Sequence, residues 1–239
     1  MTGYRYALAL ALLSAPAVAS NKYLEIPAVE EATSSPAYQY ANLTNEQTLA
    51  ELNRRGIPFE RTTPPMKGVR LPIKLTGTLY GVRIHSVLPD HEAARTPFDI
   101  LDGRLALALD DFCRILAQHD VVEVIHFTMY RPPTSVPMDP NAPQTRHPGG
   151  MAIDVGALKK RNGQVLAVGP HWSSSIGAKT CGTSARKLVG RYGRELLSIL
   201  CEAYDQRIFH YSLSPHFDDP HSDHLHLEIK PDVKWFLAN

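Results

Sequence analysis

Three histidines within six residues, in the run His221-Ser222-Asp223-His224-Leu225-His226, set the strongest constraint on how this chain can fold. Imidazole is the commonest metal ligand and titrates near neutral pH, so such density points to a metal or proton-transfer site. Residues 225–229 read as a strand. Alternate side chains of a strand share a face, so His224 and His226 would look into one space about 7 Å apart. One of them can hold a metal while the other faces a water bound to it. Three histidines do not close a catalytic zinc site if one must stay a base, so the fold has to bring further ligands to this strand.

The stretch Thr145-Arg146-His147-Pro148-Gly149-Gly150-Met151-Ala152-Ile153-Asp154 supplies candidates. Seven residues span about 10 Å on a straight helix and about 23 Å on a strand, and neither brings two side chains to one ion. The Pro148-Gly149-Gly150 turn folds the chain back, so that His147 can lie beside Asp154 on the following strand. Ala152 shares the face of Asp154 and is small enough to leave room. Alone, this pair also reads as a turn with a solvated imidazole and a capping carboxylate; the downstream cluster turns it into half of a site. One carboxylate and two imidazoles leave a fourth position open, as a catalytic zinc centre requires.

The whole chain bounds the setting. With 239 residues and 44% hydrophobic content it can bury one good core. A net charge of +1 lacks the basic excess of a nucleic-acid-binding protein. Residues 1–20 hold Arg5, a short apolar run and the triplet Ala17-Val18-Ala19, the form of a secretory signal peptide. An N-terminal membrane anchor would need a longer apolar run. We expect a signal peptide over residues 1–20, a mobile linker over 21–42 and one domain over 43–239. The mature protein is then periplasmic or secreted, without a stable membrane anchor, and a monomer. Of three cysteines, Cys181 lies in a loop just before the helix that carries Cys201, which favours that pair as a disulfide. Cys113 reads as a buried helical residue.

Thr44-Asn45-Glu46-Gln47 has the capping-box form, opening a helix that stops at Gly56. Residues 69–79 and 81–84 alternate as a strand pair. A helix is expected from Thr96-Pro97 through the apolar stripe Leu105, Leu109, Phe112 and Leu116. Strands are expected over 121–130 and 151–155, a hairpin at Asn162-Gly163 and an amphipathic helix over 185–204. Residues 134–144 read as a Pro-rich surface loop. The order implies an α+β fold whose small antiparallel sheet carries the site and is covered on one side by helices.

The combined pattern His147-x6-Asp154 and His224-x-His226 resembles the zinc peptidases grouped with lysostaphin, the D-Ala-D-Ala metallopeptidases and the hedgehog signalling domain. Their Ser-x-His-x-x-Gly-x-Ala-x-Asp motif is matched at His147, Gly150, Ala152 and Asp154, with Thr145 where Ser is usual. The spacing His221-x-x-His224-x-His226 is similar to that of the penicillin-insensitive murein endopeptidases. Overall the chain looks most like the extensin-like C-terminal family, through Arg54-Arg55-Gly56-Ile57-Pro58-Phe59, residues 155–168, Cys201 and the His221-to-His226 ending.

The resemblance implies a D-Ala-D-Ala metallopeptidase/hedgehog-like fold with His147, Asp154 and His226 as Zn2+ ligands. It makes His224 the general base, in the neighbourhood where many relatives carry Glu-x-x-His, and His221 a group that orients substrate or stabilises the oxyanion. Tyr130-Arg131-Pro132 is similar to the Tyr-Arg-Pro of the D-Ala-D-Ala enzymes, which implies that Arg131 binds a carboxylate or developing charge. Asp223 and Glu228 are candidate acceptors behind the ligands. His126 could point towards the site; His85, His91, His119, His171, His210 and His216 read as ordinary histidines. The implied activity is that of an exported zinc peptidase, of the endopeptidase or D,D-carboxypeptidase type, acting on peptidoglycan peptides. The alternatives are a non-catalytic zinc-containing cell-wall or peptide-binding module and a periplasmic metal-trafficking protein.

Overall fold

The residue Asp102 organises the centre of the molecule. Its carboxylate accepts from the backbone N–H groups of Arg104 and Leu71 and pairs with the buried Arg104 guanidinium at 2.8 Å, capping the longest helix among the described residues. The computed structural model describes residues 23–133 and 144–239. The expected signal peptide and nearly all of the Pro-rich loop lie outside the described residues.

In chain order the elements are β1 (Leu24–Glu25), α1 (Val29–Ser34), α2 (Pro36–Ala41), α3 (Asn45–Arg55), β2 (Phe59–Arg61), β3 (Pro72–Leu75), β4 (Arg83–Ser86), α4 (Asp90–Ala93), β5 (Leu101–Asp102), α5 (Gly103–Gln118) and β6 (Val121–His126). They continue with β7 (Ala152–Lys160), β8 (Val165–Ala167), α6 (Val168–His171), α7 (Arg191–Asp205), β9 (Tyr211–Leu213), β10 (Leu225–Glu228) and β11 (Phe236–Ala238). The larger sheet has the order β1-β11-β9-β10-β7-β6-β4, with β8 on the far half of β7 through the expected hairpin. A second sheet has the order β2-β3-β5.

The architecture is mixed α+β, as expected, but the main sheet is neither small nor purely antiparallel. It has eight strands among the described residues, and β4 with β6 and β11 with β9 run parallel. The anticipated strand pair over 69–84 is split: β3 joins the smaller sheet and β4 the larger, with a single bridge, Leu79 to Val82, between them. The helix expected from Thr96-Pro97 begins at Gly103 instead, because Asp102 provides the cap and Thr96 closes a turn onto Ala93. The last helix starts at Arg191 rather than 185, after Gly190 at φ +82°.

Residues 23–42 are not a mobile linker. Strand β1 adds to β11, and Ala32, Ala37, Tyr40 and Ala41 are buried in the main core. Small residues there hide a packing face that carries little hydrophobic signal. The Cys181–Cys201 disulfide forms, with Cα atoms 5.4 Å apart, and Cys113 is buried and free. No helix among the described residues is long and apolar enough to cross a membrane.

Helix α5 is buried almost all round, the mark of a helix inside a core. On β7, Ile153 and Val155 enter that core, so the period of two turns Ala152 and Asp154 to the other face. The functional residues collect on that face.

Candidate metal centre

Strand register creates the site. Antiparallel pairing sets His226 directly across from Asp154, with Leu225 opposite Val155 and Leu227 opposite Ile153. Beyond β6 the chain stays tied to the same strand: Phe127 N–H donates to the Asp154 carbonyl and Asp154 N–H to the Thr128 carbonyl. A 3-10 turn over His147–Gly149 precedes β7 and ends at Gly150, at φ +64°. A Cβ there would sit 2.7 Å from the Asp102 backbone nitrogen, so glycine lets the turn seat on the start of α5. The turn brings His147 back over Asp154, as the sequence predicts.

His147 Nε2 lies 3.1 Å and His226 Nδ1 3.0 Å from the same oxygen, Asp154 Oδ1. All three residues are buried, and their donor atoms lie within 4.8 Å of one another. His224 Nε2 approaches that oxygen at 3.5 Å.

The far nitrogen of each ring also faces an acceptor. His147 Nδ1 lies 3.3 Å from the Met129 carbonyl, His226 Nε2 3.1 Å from Glu228 Oε2, and His224 Nδ1 2.9 Å from Asp223 Oδ1. A neutral imidazole has one N–H, so in either tautomer one of its nitrogens would turn a lone pair on an oxygen. Protons bound outward leave the inward nitrogens and Asp154 Oδ1 as converging lone pairs, a donor set that a cation completes. The group formed by His147, Asp154 and His226 could therefore hold a metal ion.

The charge states follow the same geometry. Burial opposes ionisation of Asp154, but any N–H that His147 or His226 turns inward hydrogen-bonds to its carboxylate, which outweighs burial and holds the carboxyl well below the usual carboxylate range. Burial lowers the pKa of His147, with Asp154 only partly opposing. Burial also works against charged His226, yet that ring faces two carboxylates, Asp154 and Glu228, which together raise its pKa.

Around the centre lies a cleft of about 360 Å³ lined by Phe127, Thr128, Arg131, Arg146, His221 and His224, among others. Phe127 stands edge-on to His224, ring centroids 5.8 Å apart. Gly156 admits it, because a Cβ there would lie 2.7 Å from the Phe127 ring. His221 is half-buried at the rim, 5.1 Å from the His224 ring and 5.7 Å from the His226 ring, its Nδ1 held by Asp218 at 2.5 Å. Burial lowers its pKa, with Asp218 opposing.

Two cations border the cleft. Arg131 places Nη2 3.2 Å from Asp154 Oδ2, so part of its fork holds the ligand carboxylate. Arg146, which sequence reasoning passed over, lies 3.5 Å through Nε from Glu228 Oε2 and stacks over Tyr211 at 5.8 Å. Its backbone, at φ +55° and ψ −147°, is strained for a residue with a side chain, at a cost of about 1–3 kcal/mol. Nothing in the sequence announces that conformation. Glu228 was legible through its period-two relation to His226, whereas the Met129 carbonyl was not. His126 turns away from the site and lies 3.0 Å from Asp99.

A model of the family described as extensin-like protein C-terminus matches residues 105–237, more than half of the chain. The chain belongs to this family. The match runs from within α5 to within β11 of the extensin-like chain and takes in all six predicted site residues. The Arg54-to-Phe59 stretch precedes it. No curated protein and no solved structure matches the chain.

Proposed function

We propose that this extensin-like protein is an exported, zinc-dependent peptidase that hydrolyses peptide bonds in the stem peptides or cross-links of peptidoglycan. The observation that carries the reading is a buried His147-Asp154-His226 donor set opening on a cleft where a further imidazole, His224, is oriented by a carboxylate. The motif likeness to the lysostaphin, D-Ala-D-Ala metallopeptidase and hedgehog-type group supports zinc and a fold of that kind. The signal-like residues 1–20 support a periplasmic or secreted location.

His147, Asp154 and His226 would hold the zinc, which would supply Lewis acidity for the scissile carbonyl and an acidified water. His224 Nε2 takes the proton of the attacking water and delivers it to the leaving amine. Asp223 accepts the Nδ1–H of His224, fixing its tautomer and stabilising the imidazolium. Arg131 steadies Asp154 through Oδ2 and has donors left for a carboxylate or oxyanion. His221, held by Asp218, lines the rim where substrate would be oriented.

The test is metal content of the mature protein, followed by incubation with purified sacculi. Release of peptides that chelation stops and His224→Ala abolishes with metal retained supports the peptidase. The second reading is a non-catalytic binding module of the same fold, favoured by the engagement of Arg131 with Asp154. It predicts muropeptide binding without release, unchanged in His224→Ala.

A further inference from the structure

We infer that Glu228, steadied by Arg146, is a positioning residue that sets the tautomer of His226 and thereby the metal affinity of the centre; the inference rests on the metal-centre reading above. Glu228 follows His226 by two on β10, so both point to the site face of the sheet. It is fully buried, an expensive place for a carboxylate unless it is paired. Its pairing is specific: Oε2 meets His226 Nε2 at 3.1 Å and Arg146 Nε at 3.5 Å, while Oε1 has no hydrogen-bond partner among the described residues.

An acceptor at that position holds the His226 proton on Nε2 and leaves Nδ1 free to face Asp154 and the donor set. Without it, His226 can place the proton on Nδ1 and donate to Asp154 Oδ1, which consumes two donor atoms at once. Arg146 comes from the other half of the site, one residue before His147. Its contact with Glu228 therefore joins the two ligand-bearing segments outside the donor set. Tyr211, beneath the guanidinium, limits where that cation can go.

Glu228→Gln keeps an acceptor of the same shape and removes the charge, whereas Glu228→Met removes both. Divalent zinc affinity of the full folded chain is measured by chelator competition, alongside the melting temperature of the metal-free protein. Long-range nitrogen–proton NMR correlations report the His226 tautomer. Expected are a loss of about 10- to 100-fold in Glu228→Met, a smaller loss in Glu228→Gln and the smallest in Arg146→Gln, with the Nε2–H tautomer of His226 depleted in the Met variant. Folded Glu228 variants with wild-type affinity and an unchanged tautomer overturn the inference alone. A wild-type protein that binds no divalent ion overturns both it and the metal-centre reading. Intact metal affinity without hydrolysis of any muropeptide leaves this inference standing and removes only the peptidase.

Discussion

Two polar clusters in this molecule, one half-buried and one buried, are built from similar ingredients and end in opposite states. Around Arg55, one guanidinium reaches Glu51 at 2.8 Å, Asp110 and Asp111 at 3.1 Å each, and the Tyr40 hydroxyl at 2.6 Å. Tyr40 in turn donates to Asp111, and burial with that carboxylate pushes its own hydroxyl pKa up to about 12. Each carboxylate there meets a donor, so the cluster is closed. Around Asp154 the imidazoles meet acceptors on both sides, and the cluster is short of positive charge. A structural ion-pair network and a candidate metal site thus differ less in composition than in whether donors and acceptors balance.

The sharpest break of the comparison is Arg55→Met. It strands the Asp110 and Asp111 carboxylates and should cost about 3–4 kcal/mol in urea unfolding, with metal affinity unchanged. A variant that also loses metal affinity would show that the clusters are coupled.

His210 provides an intermediate case, because its neighbours are complementary. Its Nε2–H donates to the Val233 carbonyl and its Nδ1 accepts from Lys230 N–H, which suits the neutral ring. Burial lowers its pKa to about 4, with the Val233 contact opposing. The unfolded chain binds this proton below about pH 6.5 and the folded chain only below about 4, so stability contributed above pH 6.5 falls as the pH drops through that window. The loss is of the order of 3 kcal/mol. Urea melts of wild type and His210→Asn between pH 7 and 4 check it: the variant should show a flatter profile.

Asp154→Asn removes the charge at the middle of the open cluster. Zinc at a hundredfold excess over Kd should stabilise the wild type by about 2.7 kcal/mol and the variant by almost nothing, read as the metal-dependent shift in thermal unfolding. If the metal-free Asn variant is much less stable than the metal-free wild type, Asp154 serves the fold as well as the metal. The smallest effect is expected from Gly156→Ala, which crowds Phe127 and should cost about 1–2 kcal/mol while shifting the wall of the cleft. Unfolding titration and metal affinity together separate those two consequences.

The open cluster was the more legible of the two in the sequence. Histidines two apart on a strand and a Pro-Gly-Gly turn between His147 and Asp154 are local signals, and the folded chain brings those residues together. The closed cluster draws Tyr40, Glu51, Arg55, Asp110 and Asp111 from three helices, and no local pattern joins them. The same reason hid the packing of residues 23–42, where alanines make the contacts, and the parallel pairing of β4 with β6, which depends on distant strands. Capping signals fared better where the cap is local: Thr44 and Gln47 form the expected box. The start of α5 was displaced because Asp102 caps more effectively than Thr96-Pro97 initiates.

The pairing of His226 with Asp154 across β10 and β7 also dictates an order of events. These residues are 72 positions apart, and a slip of one residue in the pairing would carry one of them to the apolar face. Before the strands align there is no donor set to capture an ion, only scattered imidazoles and carboxylates. Metal uptake would therefore be a late step that follows sheet formation, and a bound ion would act as a clasp across a long loop of chain. A misregistered sheet would be recognisable by its failure to take up metal.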